Sequence, residues 1–143
     1  MKRSEIVERL ATVPLFRDLT AAQLGKIARV TDIKNARAGE VVVREGTFRS
    51  GSGPAFFLIA SGNADVTIKR KKVATLKAGD SFGEMSLLDG EPRSATVTAK
   101  GDMILFRILS WHFSKLVKSE PAVALGLLKT IAQRLRALEK KKF

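Results

Sequence analysis

Phe82-Gly83-Glu84-Met85-Ser86-Leu87-Leu88-Asp89-Gly90-Glu91-Pro92-Arg93-Ser94-Ala95-Thr96-Val97 is the stretch on which the reading of this chain turns. It sets a glycine at the mouth of a short helix-like turn, a carboxylate beside it and an arginine nine residues beyond that carboxylate. Free amides at such a turn attract an anion, and glycine lets a ligand approach the backbone closely. Arg93 adds a permanent planar cation that can fork onto phosphate oxygens. Glu84 would repel a phosphate unless otherwise engaged, and a sugar hydroxyl is its natural occupant. A ligand carrying one phosphate and a nearby free hydroxyl satisfies both demands.

Outward from this stretch, residues 31–109 alternate apolar and polar positions, with frequent turn residues. Strands are predicted at 32–36, 41–44, 55–60, 64–69, 73–76, 95–99 and 103–108. Between them lie the turns Ala38-Gly39-Glu40, Glu45-Gly46, Ser61-Gly62-Asn63, Ala78-Gly79-Asp80 and Gly101-Asp102. Short strands at this spacing predict an all-β sandwich or jelly roll. Residues 47–54, with Ser50-Gly51-Ser52-Gly53, read as a polar connecting loop without a phosphate-loop lysine.

Helical signals flank the β region. Residues 4–12 suit a short helix closed by Pro14. Thr20-Ala21-Ala22-Gln23 is a capping box for a second helix reaching about residue 30. Ser110 is a candidate N-cap for a helix through Lys118, and Pro121 sits near the first turn of a longer one, where its missing amide costs nothing. Along that last helix Leu128, Ile131, Leu135 and Leu138 recur at intervals of three, four and three, with Ala124 as an extension. The stripe either packs against the chain's own β region or forms a homodimer seam.

The stretch 82–97 resembles the phosphate-binding cassette of the cyclic-nucleotide-binding domain family. That family includes the catabolite activator protein and kinase regulatory subunits. Phe82-Gly83-Glu84-Met85-Ser86-Leu87 and Pro92-Arg93-Ser94-Ala95-Thr96-Val97 match its two half-patterns. The likeness extends to the Pro14-Leu15-Phe16 corner and to the glycine turns of the β region. It implies a mainly β fold with flanking helices: a double-stranded β-helix, or jelly-roll-like β-roll, with two N-terminal helices and a C-terminal helical segment. One domain over 1–143 is expected: helices 1–30, a β-roll 31–109 with cassette 82–97, and hinge or lid helices 110–143.

Carried over by position, the resemblance puts Glu84 on the ribose 2′-hydroxyl and Arg93 on the cyclic phosphate. The amides of Gly83, Glu84 and Met85, with Ser86, Ser94 and Ala95, complete the nest. Val66, Phe82, Met85 and Leu87 are candidate apolar walls, and Val97 is a further candidate ligand-binding residue. Ala132-Gln133-Arg134-Leu135 is similar to the closing helix of the bacterial regulators, and Leu138 stands where those use small hydroxyl residues against the base. In relatives, alanine at position 94 accompanies cAMP and threonine favours cGMP; Ser94 here is read as cAMP in preference to cGMP. The resemblance further implies an effector protein answering movement of the C-terminal helix. The chain has no room after that helix for a DNA-binding domain, so it reads as a stand-alone sensor or as a piece of something longer.

Composition narrows the alternatives. The 143 residues contain no cysteine, which removes disulfides, thiolate nucleophiles and cysteine-held iron–sulfur clusters. The single histidine, His112, lies in an apolar helical run and reads as a packed residue rather than a metal ligand. No Ser/His/Asp or paired-carboxylate constellation points to an enzyme. No apolar run reaches the ~20 residues of a membrane span, and no signal-peptide core follows the charged start, so a cytoplasmic location is expected. No cofactor beyond the nucleotide ligand is implied. Twenty-six Lys and Arg against fourteen Asp and Glu give a net charge of +12. Such an excess favours anionic partners, and a ligand-free basic module binding a protein or nucleic acid is the alternative reading. Lys69-Arg70-Lys71-Lys72 reads as a solvated hairpin tip, and Lys140-Lys141-Lys142 as cations closing a helix.

Overall fold

The computed structural model describes residues 2–46, 55–83 and 95–142. The predicted connecting loop 47–54 and the centre of the cassette, 84–94, lie outside the described residues. The chain divides into two compact units, residues 30–113 and residues 1–29 with 114–143.

The first unit is built from eight described strands: β1 Thr31–Ala36, β2 Val41–Val43, β3 Ala55–Ser61, β4 Ala64–Ile68, β5 Lys71–Leu76, β6 Ser81–Phe82, β7 Thr96–Ala99 and β8 Met103–Leu109. They form two antiparallel four-stranded sheets, ordered β1-β8-β3-β6 and β2-β7-β4-β5. Both sheets contribute to one core, with Ala36, Phe57, Ile59, Met103 and Leu105 from the first and Val42, Val43, Ala64, Val97 and Ala99 from the second. Each fully buried large side chain removes enough apolar surface to contribute about 1.5–3 kcal/mol against exposure. β3 is buried at six successive positions, Ala55 through Ala60, and therefore reads as an unbroken apolar run rather than an alternating one.

Turn chemistry sets how the strands enter and leave the cassette. Gly39 and Gly79 adopt φ of +85° and +95°, conformations that glycine reaches without steric cost. At the second turn Asp80 accepts the Lys77 amide at 2.9 Å, while the Ile59 amide donates to the Asp80 carbonyl and the Gly79 amide to the Ile59 carbonyl. This clamps the turn onto β3 and delivers the chain into β6.

The structure departs from the sequence reading in three places. Ser81–Phe82 pairs with Leu58 and Phe57 as a strand, but two residues are too short to show alternation. Ile68 pairs with Lys71, so the β4–β5 tip is only Lys69-Arg70, and Lys71 and Lys72 belong to β5. Ser110 is the first residue of a helix rather than its cap, because β8 runs into that helix without a loop. The stripe residues Leu128, Leu135 and Leu138 are exposed, and Ala124 and Ile131 are half-buried.

The second unit holds α1 Arg3–Leu10, a 3-10 turn Pro14–Phe16, α2 Ala21–Arg29, most of α3 Ser110–Ser119, and α4 Pro121–Lys142. The capping box at α2 forms as predicted, with the Gln23 amide donating to Thr20 Oγ1 at 3.2 Å and the Thr20 amide to Gln23 Oε1 at 2.9 Å. α4 packs on the 3-10 turn through the face that carries Val123, Leu127 and Thr130. Lys26 pairs with Glu120, and Arg17 donates to Gln133. No described helix is long and apolar enough to cross a membrane.

Candidate functional site

The two ends of the cassette stretch are anchored in the β unit. At the entrance Phe82 stacks on Phe57, with ring centroids 5.0 Å apart and planes 17° from parallel. Offset-stacked rings at this separation add about 0.5–1.5 kcal/mol beyond their burial. Phe57 has no exposed surface, so it fixes where Phe82 can lie. Gly83 follows with φ of +85°, a left-handed turn that takes the chain out of β6. A side chain at that φ would be strained, which gives the glycine a conformational reason beyond close approach of a ligand.

At the exit, Thr96 opens β7 opposite Thr67, and Val97 lies directly across from Val66 on β4. Val97 is buried in the core, while Val66 and Phe82 pack against its margin. Two of the predicted apolar wall residues, Val66 and Phe82, therefore share one cluster with the candidate binding residue Val97. Ala95 immediately precedes β7 and is half-buried.

A further set of bonds ties this exit to its surroundings, and the sequence reading did not single it out. The Glu45 amide donates to Thr96 Oγ1 at 3.0 Å, and Glu45 Oε1 accepts the Lys69 amide at 2.9 Å. Glu45 thus joins the end of β2, the β4–β5 tip and the first residue of β7. The only signal in the sequence was the Glu45-Gly46 turn, which says nothing about long-range partners.

Glu84, Met85, Ser86, Leu87, Arg93 and Ser94 lie outside the described residues. Arg134 and Leu138 belong to the helical unit, on α4, where Leu138 is 61% exposed. His112 is half-buried, and its ring lies 3.8 Å from that of exposed Trp111 at a tilt of 44°. Among the described residues, no group of three or more His, Cys, Asp or Glu side chains is placed to hold a metal.

Residues 33–120 match the family model of the cyclic nucleotide-binding domain. Over 125 residues the chain is 37% identical to a cyclic nucleotide-gated potassium channel of Rhizobium etli, covering 87% of this chain and 34% of that one. It is 44% identical over 93 residues to the cAMP-dependent protein kinase regulatory subunit of Yarrowia lipolytica, covering 64% and 24% respectively. Its fold superposes on the regulatory domain of Toxoplasma gondii PKA with cAMP, with a TM-score of 0.71, 28% identity, and coverage of 92% of this chain and 50% of that one. The chain spans about a third or less of the length of these curated relatives. It belongs to the cyclic nucleotide-binding domain family, whose β-roll it has and whose members are regulatory, non-catalytic modules.

Proposed function

We propose that the chain is a cyclic-nucleotide sensor that binds cAMP in preference to cGMP and signals through movement of its C-terminal helix. Residues 1–143 then act as one domain. Arg93 and the amides of Gly83, Glu84 and Met85, with Ser86, Ser94 and Ala95, hold the phosphate, and Glu84 accepts the ribose 2′-hydroxyl proton. Val66, Phe82, Met85 and Leu87 cover part of the purine, with Val97 a further binding residue. Arg134 and Leu138 on α4 close over the base.

The observation that carries this reading is the anchoring of a complete cassette sequence at both ends. The segment 84–94 runs from the Phe57–Phe82 stack and the Gly83 turn to Thr96 and the Val66–Val97 pair. A phosphate site needs its amides and its cation held in a fixed relation, and well-anchored ends favour that. The names of the relatives support the ligand class, since one is cyclic nucleotide-gated and another is a cAMP-dependent kinase subunit. Ser94 supports cAMP only as a residue that does not demand guanine.

A ligand shifts a helix only by its differential affinity for the two helix positions. Contacts from Arg134 and Leu138 that exist in just one position would provide that difference. The exposed stripe Leu128, Leu135 and Leu138 is read as a seam for a second copy, because aliphatic side chains at this spacing suit a helix pair. An effector protein would read the helix position.

Isothermal titration of the purified chain with cAMP and then cGMP tests this function. Micromolar or tighter cAMP binding, weaker for cGMP, is expected. Absence of heat with either nucleotide, at several temperatures and with the fold intact, would overturn it.

A further inference from the structure

The outer strand of the β2-β7-β4-β5 sheet carries features that nucleotide binding does not use. Among the described residues β5 pairs only with β4, and its residues Lys71 through Thr75 are exposed, Val73 at 55%. One edge of this strand therefore has no ladder partner among the described residues, and an edge of that kind is a template for another extended chain. Four cations in succession, Lys69, Arg70, Lys71 and Lys72, lead into it. Lys72 faces Asp65 at 3.4 Å, whereas the side chains of Lys69, Arg70 and Lys71 have no ion pair among the described residues.

The tip that displays these cations is sterically expensive. Lys69 and Arg70 occupy the two central positions of a two-residue hairpin turn, with φ of +50° and +68°. Both positions favour asparagine or glycine, since a side chain there crowds its own backbone. The hairpin thus holds two cations where its geometry would be more stable without them. The Glu45 carboxylate accepts the Lys69 amide and steadies the turn while leaving the Lys69 ammonium outward.

From the free edge and this charge we infer that the β4–β5 hairpin docks an acidic, extended peptide segment of a partner protein as an added strand on β5. Main-chain bonds along the edge would supply the affinity, and Lys69, Arg70 and Lys71 the preference for acidic side chains. The same cations disfavour a second copy of this chain on that edge, because each copy would bring like charges to the other. Nucleic acid is a poorer fit. The hairpin has no aromatic residue on which a base could stack, and a polyanion would leave the strand edge and Val73 unused.

Fluorescence anisotropy of the purified chain with a labelled peptide of alternating glutamate and valine, about ten residues long, tests the inference at physiological ionic strength. Binding is expected, and a peptide of the same sequence with every main-chain amide N-methylated, equal in charge but without main-chain donors, should bind about tenfold more weakly. The double variant Lys69→Asn with Arg70→Gly should also weaken binding about tenfold while raising the urea midpoint, because it relieves the turn as it removes charge. Equal affinity for the N-methylated peptide would overturn strand addition, and unchanged affinity in the double variant would overturn the role of the tip. Preference for a short DNA duplex or for phosphatidylserine vesicles over the peptide would assign the patch to another anion. Nucleotide binding need not survive or fail with any of these results.

Discussion

Thr130, a residue with no exposed surface, donates its hydroxyl proton to Asp18 Oδ2 at 2.9 Å, joining α4 to the segment that follows the Pro14–Phe16 turn. The same hydroxyl lies 3.4 Å from the Gly126 carbonyl one turn earlier. Gly126 is where that segment comes closest, since an added Cβ would lie 2.5 Å from Leu19 Cδ2. Arg17 extends the line of contact by donating to Gln133. Positions 126, 130 and 133 share one helix face, so residues 17–19 lie along α4 as a strap.

Thr130→Val keeps the side-chain shape and deletes the bond. Asp18 is exposed and can be solvated instead, so the cost should be near that of an ordinary hydrogen bond, about 1 kcal/mol. Urea unfolding at neutral pH measures it. No change in midpoint would mean that the Thr130 hydroxyl bonds contribute nothing beyond what Asp18 recovers from water.

Gly62 holds φ of +95° between β3 and β4, and a Cβ there would stand 2.7 Å from both the Asp102 carbonyl oxygen and the Met103 Cβ. Neither atom is the free end of a flexible side chain. Gly62→Ala should therefore combine left-handed strain with backbone displacement and cost about 3 kcal/mol in unfolding free energy. A variant as stable as the wild type would refute the close approach.

Glu40 accepts a hydrogen bond from Lys34, the two lying 3.0 Å apart, and another from the Arg37 amide at 3.2 Å. These bonds, the Lys34 one foremost, hold its carboxyl below the usual carboxylate range. The folded chain thus binds this proton less readily than the unfolded one. The contribution to stability is complete above the ordinary carboxylate pKa and disappears as pH falls through the depressed folded value. Glu40→Gln should lower the urea midpoint at about pH 7 and converge on the wild type toward about pH 3. A gap between the two proteins that stays constant across that range would exclude a titrating Glu40 as its source.

Arg93→Ala is expected to leave the nucleotide phosphate without its cation and to weaken cAMP binding by about 2–5 kcal/mol with the thermal midpoint nearly unchanged. Glu84→Gln retains an acceptor and should cost less. Titration calorimetry of both variants decides the assignment, and wild-type affinity in Arg93→Ala would remove Arg93 from the site.

Leu135 is 56% exposed on the α4 stripe proposed as a dimer seam. Leu135→Glu would place two carboxylates in that seam and should convert a dimer into a monomer in sedimentation velocity, with little effect on monomer unfolding. A wild-type chain that sediments as a monomer at high micromolar concentration would refute the seam.

The sequence by itself determined the architecture and where a site should lie. Period-two alternation with glycine turns is a local pattern, so most strands could be located, and the capping box at Thr20 predicted a bond pair that forms as written. The 82–97 stretch led to the proposed phosphate-and-hydroxyl site through its residue types and spacing alone. Tertiary structure decided what depends on partners far apart in the chain. Strand order β1-β8-β3-β6 brings Asp32 opposite Arg107, where the guanidinium takes both carboxylate oxygens at 3.0 and 2.8 Å, a pair that no local window contains. The same holds for Glu45, whose amide and carboxylate find Thr96 and Lys69 only after three strands have assembled. It holds also for Ser81–Phe82, a strand only because Phe57 lies beside it. The α4 stripe shows the limit from the other side. Spacing could mark Leu128, Leu135 and Leu138 as one face, but only packing of Val123, Leu127 and Thr130 inward left that face exposed, since a helix can turn just one side to its core.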